Sequence, residues 1–396
     1  MQYDFDNYLA EIPENSLKYD AIKATNSSDI YKFLSMGVAD MSFKPPIDVL
    51  NALENEMNRG FLGYYGGIES YRKEVVKWLE TKHDWKPKPQ WINTARGLVA
   101  AIGTVLRAFT NQNDGIIIFS PVYHQFRNII KANNRELIES EMIKENGTYY
   151  LDLDNLENKI KGNEKVVILC SPHNPSGRLW SEHELKDIAY FCKKHDLILI
   201  IDEIHNDLVN PENKHITFPK IGENFFENYI LMTSTTKTFN IAGGLMGNVI
   251  IPNNSLRDKF KKANFATGET PNRFGMILGE VAMRSGHKWL DDMLKYLKKN
   301  KDVFKDSKKS FGYLDMIREE NKRLHTHVEN VLQISQLEKQ ELDLAKENID
   351  PHKTIQNALD HVRLIIENRG GKLSQRFTSE FIQLLISPVH MTNVWV

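Results

Sequence analysis

Four polar side chains that could carry covalent or acid–base chemistry follow apolar runs of the sequence. Lys237 follows YILMTSTT, and Asp202 ends the run LILIID. Asn174 follows KVVILC, and Tyr123 follows GIIIF. A lysine amine can form a Schiff base with an aldehyde, and a buried carboxylate is costly unless it meets a cation. A lone lysine in such a place is usually an exposed surface charge, so a reactive site is indicated only by the four groups together.

The apolar runs predict the element that positions these groups. Each run is near-continuously apolar, as is typical of strands buried on both faces. Helical patterns at 122–133 and 182–194 separate some of the runs. This alternation indicates an α/β fold with a mostly parallel sheet and helices on both faces, in which ligands bind beyond the carboxyl ends of the strands. The predicted strands are 115–120, 165–170, 197–202, 229–234 and 247–251.

One ligand would use all the groups expected at these strand ends. The hydroxyls of Ser234 and Thr236, with the backbone of Gly97 and Leu98 at the start of a predicted helix, could hold a phosphate. The same strand ends are expected to bring together the aromatic ring of Tyr123, the amide of Asn174, the carboxylate of Asp202 and the amine of Lys237. Pyridoxal 5′-phosphate has a matching phosphate, planar ring, phenolic oxygen, ring nitrogen and aldehyde, and Lys237 would hold the aldehyde.

Six stretches, in order and at suitable spacing, resemble enzymes of fold type I that depend on pyridoxal phosphate. The likeness covers about residues 3–303, and more narrowly it is to the MalY/PatB-like cystathionine β-lyase branch. It implies the large domain of this fold, a PLP-binding, aminotransferase-like domain, over residues 1–305. The stretches are VADMSF (38–43), GFLGYYG (60–66), SPVYHQF (120–126), SPHNPSGRLW (171–180), DEIHNDL (202–208) and TKTFNIAGG (236–244).

The resemblance implies a role for each matching residue near the cofactor ring. Lys237 would be the Schiff-base lysine and the base that takes the substrate's α-proton, and Asp202 would pair with the ring nitrogen. Asn174 would hydrogen-bond the phenolic oxygen. Tyr123 would stack on the ring, which makes Lys237, Asp202 and Tyr123 the expected catalytic set. His205 stands where aminotransferases usually have tyrosine and the β-lyase-like branch has histidine.

Phosphate contacts and the oligomeric state follow from the same resemblance. Ser234 and Thr236 would contact the phosphate, together with Gly97 and Leu98. Tyr64, in GYYG, matches a tyrosine that reaches the cofactor of the neighbouring subunit, which implies a homodimer. No metal is expected at this site.

The implied reaction is α,β-elimination on cystathionine or another cysteine S-conjugate. The products would be a thiol, pyruvate and ammonia, so the partner is a small sulfur amino acid. An aminotransferase on the same fold is the alternative, because it would use Lys237 and Asp202 in the same way.

One departure from the family concerns the phosphate, and several residues have simpler structural explanations. Leu245 stands where many aminotransferases carry an arginine that clamps the phosphate, and Arg96 is a weak candidate to compensate. The structural alternatives are a satisfied histidine for His173 or His205, an ion pair for Arg178, and core packing for Trp180, Phe239 and Phe274.

From about residue 306 the sequence departs from the family. Apolar residues near heptad spacing in 311–346 predict a long amphipathic helix, within a helical hairpin-like segment over 306–396. Residues 313–396 resemble part of a sensor histidine kinase, the second dimerisation helix and the start of the ATP-binding domain. The likeness rests on the stretches 313–344, 365–373 and 389–396.

This C-terminal segment changes the expected activity. His325 and His327 lack the context of a phospho-acceptor box, so kinase activity is not expected; a non-catalytic dimerising or signalling fragment is the alternative function. The arginine that usually binds the substrate carboxylate in the small domain has no counterpart here. The resemblance therefore predicts cofactor binding more firmly than turnover.

Bulk properties limit the possible partners and the compartment. The formal net charge of −1 gives no reason to expect nucleic acid or an anionic membrane as a partner. Two cysteines suggest no disulfide framework, and no apolar run or leader-like N-terminus predicts a membrane segment or a signal peptide. A cytoplasmic location is the expectation.

Overall fold

Seven strands form one sheet, in the order β1–β9–β8–β7–β6–β2–β3. All neighbouring pairs are parallel except those of β9, which runs antiparallel to both β8 and β1. The predicted α/β fold with a mostly parallel sheet is therefore confirmed. The strands are β1 (Ile92–Ala95), β2 (Gly115–Ser120), β3 (Glu136–Glu141), β6 (Glu164–Cys170), β7 (Ile198–Asp202), β8 (Tyr229–Thr233) and β9 (Gly247–Ile250).

The computed structural model describes residues 3–6, 15–20, 37–222, 225–268, 272–305, 347–349 and 384–386. The chain divides into two units, Met1–Val303 and Phe304–Val396. In the second unit, two described strands, β10 (Glu347–Ile349) and β11 (Leu384–Ile386), pair antiparallel. The helices predicted within 306–396, and the likeness to a kinase, otherwise lie outside the described residues.

The central strands form because their side chains are apolar on both faces. In β2, Ile117 and Phe119 join the core on one face of the sheet, while Ile116 and Ile118 join the core on the other. Every residue of this strand is buried. Full burial of an isoleucine contributes about 1.5–3 kcal/mol relative to exposure, so such a run stabilises a central strand strongly.

Helices cover both faces and bury the apolar stripes that the sequence predicts. The helices are α1 (Ile47–Arg59), α2 (Ile68–His83), α3 (Leu98–Phe109), α4 (His124–Ala132), α5 (Leu153–Glu157), α6 (Glu182–Lys194), α7 (Pro219–Gly222), α8 (Thr235–Thr238), α9 (Asn254–Thr267), α10 (Arg273–Ser285) and α11 (His287–Lys305). Helices α2, α6, α10 and α11 contribute to one core, and α3, α4 and α9 to the other. Ser181 caps α6 and forms a capping box with Glu184, as the predicted start at 182 requires.

The sequence patterns do not predict two strands of the sheet. Strand β1 has the sequence INTA and is only four residues long. Strand β3, ELIESE, lies at the edge of the sheet and is mostly half-buried, so it carries charges between its apolar residues. Outside the sheet, β4 (Ile143–Glu145) and β5 (Thr148–Tyr150) form a short antiparallel hairpin.

Candidate active site

Three adjacent strands bring their carboxyl ends to the same level of the sheet. Cys170, at the end of β6, is the register partner of Asp202, at the end of β7, and Asp202 is in turn the partner of Met232 in β8. Asn174 follows the first of these strands by four residues, and Lys237 follows the last register position by five. The fold thus places the chain segments that carry these two residues beside Asp202.

Asp202 is a buried carboxyl without a cation beside it in the described residues. Its Oδ1 accepts a hydrogen bond of 3.0 Å from the Ile204 amide. Burial raises the pKa of Asp202 to about 7, the Ile204 hydrogen bond opposes this rise, and the negative charge of Glu203 adds to it. A cationic group placed against this carboxyl would favour its ionised form, as the protonated nitrogen of a pyridine ring would.

His205 is neutral and has an unsatisfied buried nitrogen. Its Nδ1 is buried and has no hydrogen-bond partner among the described residues. Burial, followed by the positive charge of Lys237, lowers the pKa of His205 to about 4. Since orphaned buried polar atoms are rare in native proteins, this nitrogen suits a polar group of a bound ligand.

Lys237 lies in α8, a helix of only four residues, and is half-buried. Its Nζ donates a hydrogen bond of 3.3 Å to the carbonyl oxygen of Ala39. Asn240 holds the same segment: its Nδ2 donates to the carbonyls of Met41, at 2.9 Å, and Phe43, at 2.7 Å. The stretch VADMSF therefore packs against the lysine loop, and its backbone accepts the hydrogen bond from the amine.

Asn174 and Tyr123 present groups suited to a planar ring. Asn174 is half-buried, its backbone amide points to the Cys170 sulfur at 3.4 Å, and its side-chain amide has no hydrogen-bond partner among the described residues. Tyr123 is half-buried just before α4. Burial, followed by the negative charge of Asp202, raises the pKa of the Tyr123 hydroxyl, which places that hydroxyl within the field of the Asp202 carboxyl.

The residues predicted to hold the phosphate lie at the starts of two helices. Ser234 caps α8, and its Oγ donates to the Met246 carbonyl at 2.7 Å and lies 2.8 Å from the Thr236 hydroxyl. Gly97 precedes α3 with φ of 95°, a conformation that favours glycine, and a Cβ there would meet nothing within 4 Å. The first amides of α3, from Leu98 onward, have no partners within the helix, which is the usual setting for an anion.

Two residues discussed for the phosphate and one for the dimer have exposed side chains. Leu245 is half-exposed with φ of 45°, so its side chain supplies no positive charge where the arginine clamp would be. Arg96 is exposed. The Tyr64 side chain is fully exposed, and only its backbone carbonyl is held, by Arg273 at 3.4 Å.

The structural alternatives hold for Arg178, Trp180 and Phe239, and His173 is satisfied at only one of its two ring nitrogens. Arg178 forms an ion pair with Glu184, in which Nη2 donates to both carboxylate oxygens, at 2.7 and 2.9 Å. Trp180 and Phe239 are buried in the core, and Phe274 is half-buried. His173 bonds Ser176 through Nδ1 at 2.9 Å; its Nε2 is buried without a partner in the described part of the chain, and burial lowers its pKa to about 4.

Sequence reasoning missed one buried polar residue close to the lysine. Asp207 accepts hydrogen bonds from His83, Trp78 and Thr238, the residue after Lys237. The only signal in the sequence is a third carboxylate in DEIHND, soon after the strand ends. Its partners are far apart in the chain, so the contact could not be predicted from spacing.

The residues at the strand ends fit pyridoxal phosphate, and the fold is that of the type I class of enzymes that depend on it. A carboxyl lacking a cation, a histidine nitrogen lacking a partner and an amide lacking a partner lie in the segments at the ends of adjacent strands, among the described residues. Within the described residues, no group of His, Cys, Asp and Glu could hold a metal ion, and no helix is long and apolar enough to cross a membrane.

Comparisons with known proteins place the chain within one family. Residues 31–346 match the family described as aminotransferase class I and II. Cystathionine beta-lyase PatB of Bacillus subtilis is 32% identical over 299 residues, 75% of this chain and 77% of the relative. Protein MalY of Escherichia coli is 28% identical over 67% of this chain and 69% of its own.

A solved structure supports the same relationship. Cystalysin from Treponema denticola, whose crystal structure contains pyridoxal 5′-phosphate, has 38% identity and a TM-score of 0.73, covering 77% of this chain and 79% of its own. The chain therefore belongs to the aminotransferase class I and II family, whose cofactor is pyridoxal phosphate. The family match extends to residue 346, across the first part of the segment with the kinase likeness, and the comparisons give no support to that likeness.

Proposed function

We propose that this chain catalyses α,β-elimination on cystathionine or another cysteine S-conjugate, releasing a thiol, pyruvate and ammonia. The observation that carries the proposal is His205, neutral and with an unsatisfied Nδ1, close to Lys237. It stands where the β-lyase-like branch has histidine and most aminotransferases have tyrosine. The relative PatB, which is named a cystathionine beta-lyase, supports the same assignment.

Each residue at the strand ends would have a separate role in holding the cofactor ring. Pyridoxal phosphate, when bound, supplies an electron sink for the pair left on the substrate α-carbon. Asp202 would hold a proton on the ring nitrogen, because the buried carboxylate is stable only beside a cation. Asn174 would donate its free amide to the phenolic oxygen, and Tyr123 would cover one face of the ring.

Lys237 would hold the cofactor and then move the proton. The Lys237 Nζ would accept the α-proton of the substrate as a general base. Neighbouring positive charge on a protonated His205 would disfavour this, and burial keeps His205 neutral near pH 7. Ser234, Thr236 and the first amides of α3 would fix the phosphate, which sets the position of the ring relative to the lysine.

We propose that the enzyme is a homodimer, because the chain exposes an apolar surface around Tyr64. Helix α1 and the loop after it leave large apolar side chains in water, and such patches commonly mark an interface. These exposed residues are Ile47, Leu50, Met57, Phe61, Leu62 and Tyr64. In such a dimer, the Tyr64 side chain of each subunit would reach the cofactor bound by the other subunit.

The test is turnover of cystathionine by the purified protein with pyridoxal phosphate and no added keto acid. We expect release of pyruvate and ammonia in equal amounts. The matched control is the Lys237→Ala variant, which should release neither. Consumption of cystathionine only after a keto acid is supplied would contradict this proposal and support the aminotransferase alternative.

The role of residues 306–396 as a dimerising or signalling segment stays a prediction. A variant lacking these residues tests it by light scattering and by the same turnover assay. Loss of the dimer together with retained cofactor binding would support a role in association. An unchanged oligomeric state would contradict it.

A further inference from the structure

A buried carboxylate that the proposed reaction does not use joins α2 to the lysine loop. Asp207 is almost fully buried, five residues after Asp202. Its Oδ1 accepts from His83 Nε2 at 2.8 Å, and Trp78 Nε1 donates to both oxygens at 3.2 Å. Its Oδ2 accepts from Thr238 Oγ1 at 2.8 Å. Every donor is itself buried, so the carboxylate is held from two separate parts of the chain.

Electrostatics keep this carboxylate charged. Burial alone would raise the pKa of Asp207, but the hydrogen bond and positive charge from His83, with the hydrogen bonds from Thr238 and Trp78, hold it below its usual range. A charged acceptor makes stronger and shorter hydrogen bonds than a neutral one. Asp207 is therefore a fixed anchor, and the Thr238 hydroxyl is fixed to it.

Thr238 follows Lys237 directly, in a helix that is too short to hold its own shape. Four residues form a single turn, and isolated helices of this length are not stable without contacts to the rest of the protein. The turn is held at its start by Ser234, which bonds the Met246 carbonyl, and at its end by Thr238. The direction of the Lys237 side chain therefore depends on the bond to Asp207.

We propose that Asp207, held by Trp78 and His83, is a positioning residue that sets the place of the Lys237 amine through Thr238. The proposal rests on the function proposed above, since it assigns Lys237 as the reacting amine. A small displacement of a reacting group can cost up to about a hundredfold in rate. Loss of this one bond is therefore expected to slow turnover while the sheet and the two cores stay intact.

The experiment compares three substitutions in the full-length enzyme with cofactor. Thr238→Val removes the hydroxyl and keeps the shape; Thr238→Ser keeps the hydroxyl. Thr235→Val is the matched control, because Thr235 lies in the same turn and is buried, and within the described residues its hydroxyl donates a hydrogen bond only to the Met246 sulfur, at 3.6 Å. We expect Thr238→Val to lower kcat roughly ten- to a hundredfold with little change in KM, and the other two to stay within about threefold of wild type.

A second readout does not depend on turnover. Borohydride reduction followed by peptide mass spectrometry measures the fraction of Lys237 joined to the cofactor at limiting cofactor concentration. We expect this fraction to fall in Thr238→Val and in Asp207→Asn, and to recover in Thr238→Ser. Equal labelling and equal kcat in all variants would overturn the proposal. Absence of lyase activity in the wild type, with the labelling differences preserved, would instead overturn only the proposed function.

Discussion

Two regions that both resemble the family's site differ in what surrounds their side chains. At the strand ends, residues 202–208 and 234–240 are mostly buried and bonded to one another, and a few atoms such as His205 Nδ1 lack partners. In the loop 60–66, Phe61, Leu62 and Tyr64 are largely exposed. The strand ends form a largely buried wall that would hold a cofactor, whereas much of the apolar surface of the loop faces solvent.

The loop is nonetheless fixed through its backbone. Arg273 donates to Glu56 at 2.7 Å and to the Tyr64 carbonyl at 3.4 Å, and its guanidinium lies 5.4 Å from the centre of the Phe61 ring. The hydrogen bond from Arg273 holds the pKa of Glu56 below its usual range, although burial acts in the opposite direction. A loop with a fixed backbone and exposed aromatic side chains is suited to a second subunit.

The substitution with the largest expected effect, Lys237→Ala, can be combined with Tyr64→Ala to test whether one active site takes its lysine from one subunit and its Tyr64 from the other. Lys237→Ala should lower turnover at least roughly 10²–10⁴-fold, because it removes the general base and the covalent attachment. Tyr64→Ala should also lower activity, by less. Mixed dimers of these two variants, refolded together, contain one site with both native groups. Activity of the mixture above that of either variant alone would support a role of Tyr64 in the active site of the other subunit. A mixture no more active than the two separate variants would contradict that role.

Asp202→Asn should have the next largest effect on turnover. The amide keeps the shape of the carboxyl but cannot hold a proton on the ring nitrogen, and loss of one such electrostatic contact costs roughly 10²–10³-fold. The measurement is pyruvate release at saturating cofactor. A kcat within twofold of wild type would show that the buried carboxyl does not act on the cofactor.

The same substitution should stabilise the protein prepared without cofactor. The folded-state pKa of Asp202, about 7, lies above its ordinary value, so the folded state binds more protons than the unfolded state between about pH 4 and 7. Stability of the wild type therefore falls as pH rises through this window. Relative to Asp202→Asn, the loss above pH 7 should be on the order of 4 kcal/mol. Parallel urea-unfolding curves from pH 5 to 8 for the two proteins would contradict this.

The smallest effect is expected in the exposed loop. Tyr64→Ala should change the free energy of unfolding of the separated subunit by less than about 0.5 kcal/mol, because an exposed side chain without contacts contributes little. Urea unfolding at dilutions that dissociate the dimer measures this. A larger loss would mean that Tyr64 packs within its own chain.

Sequence patterns predicted the central sheet well because burial on both faces leaves a continuous apolar signal. Strand 115–120 was predicted with the observed bounds, and helix α6 starts where Ser181 indicates. Strands β1 and β3 were missed because they are short or at an edge, where polar residues are tolerated. The prediction of helices in 311–346 lies outside the described residues.

The candidate site could be predicted in part, for a related reason. Groups that directly follow strands, such as Asp202 and Lys237, take their place from the topology, so the sequence indicates them. Asp207 takes its role from Trp78 and His83, more than 120 residues earlier in the chain, and no local pattern records such a contact. Long-range contacts of this kind required the structure.

The central claim is that Lys237 is the residue that holds pyridoxal phosphate, and peptide mapping tests it most directly. The protein is incubated with the cofactor, reduced with borohydride, digested and analysed by mass spectrometry. The account predicts one phosphopyridoxyl group per chain, on the peptide that contains Lys237, and none in the Lys237→Ala variant. Stoichiometric label on a different lysine, or full labelling of the variant, would contradict it.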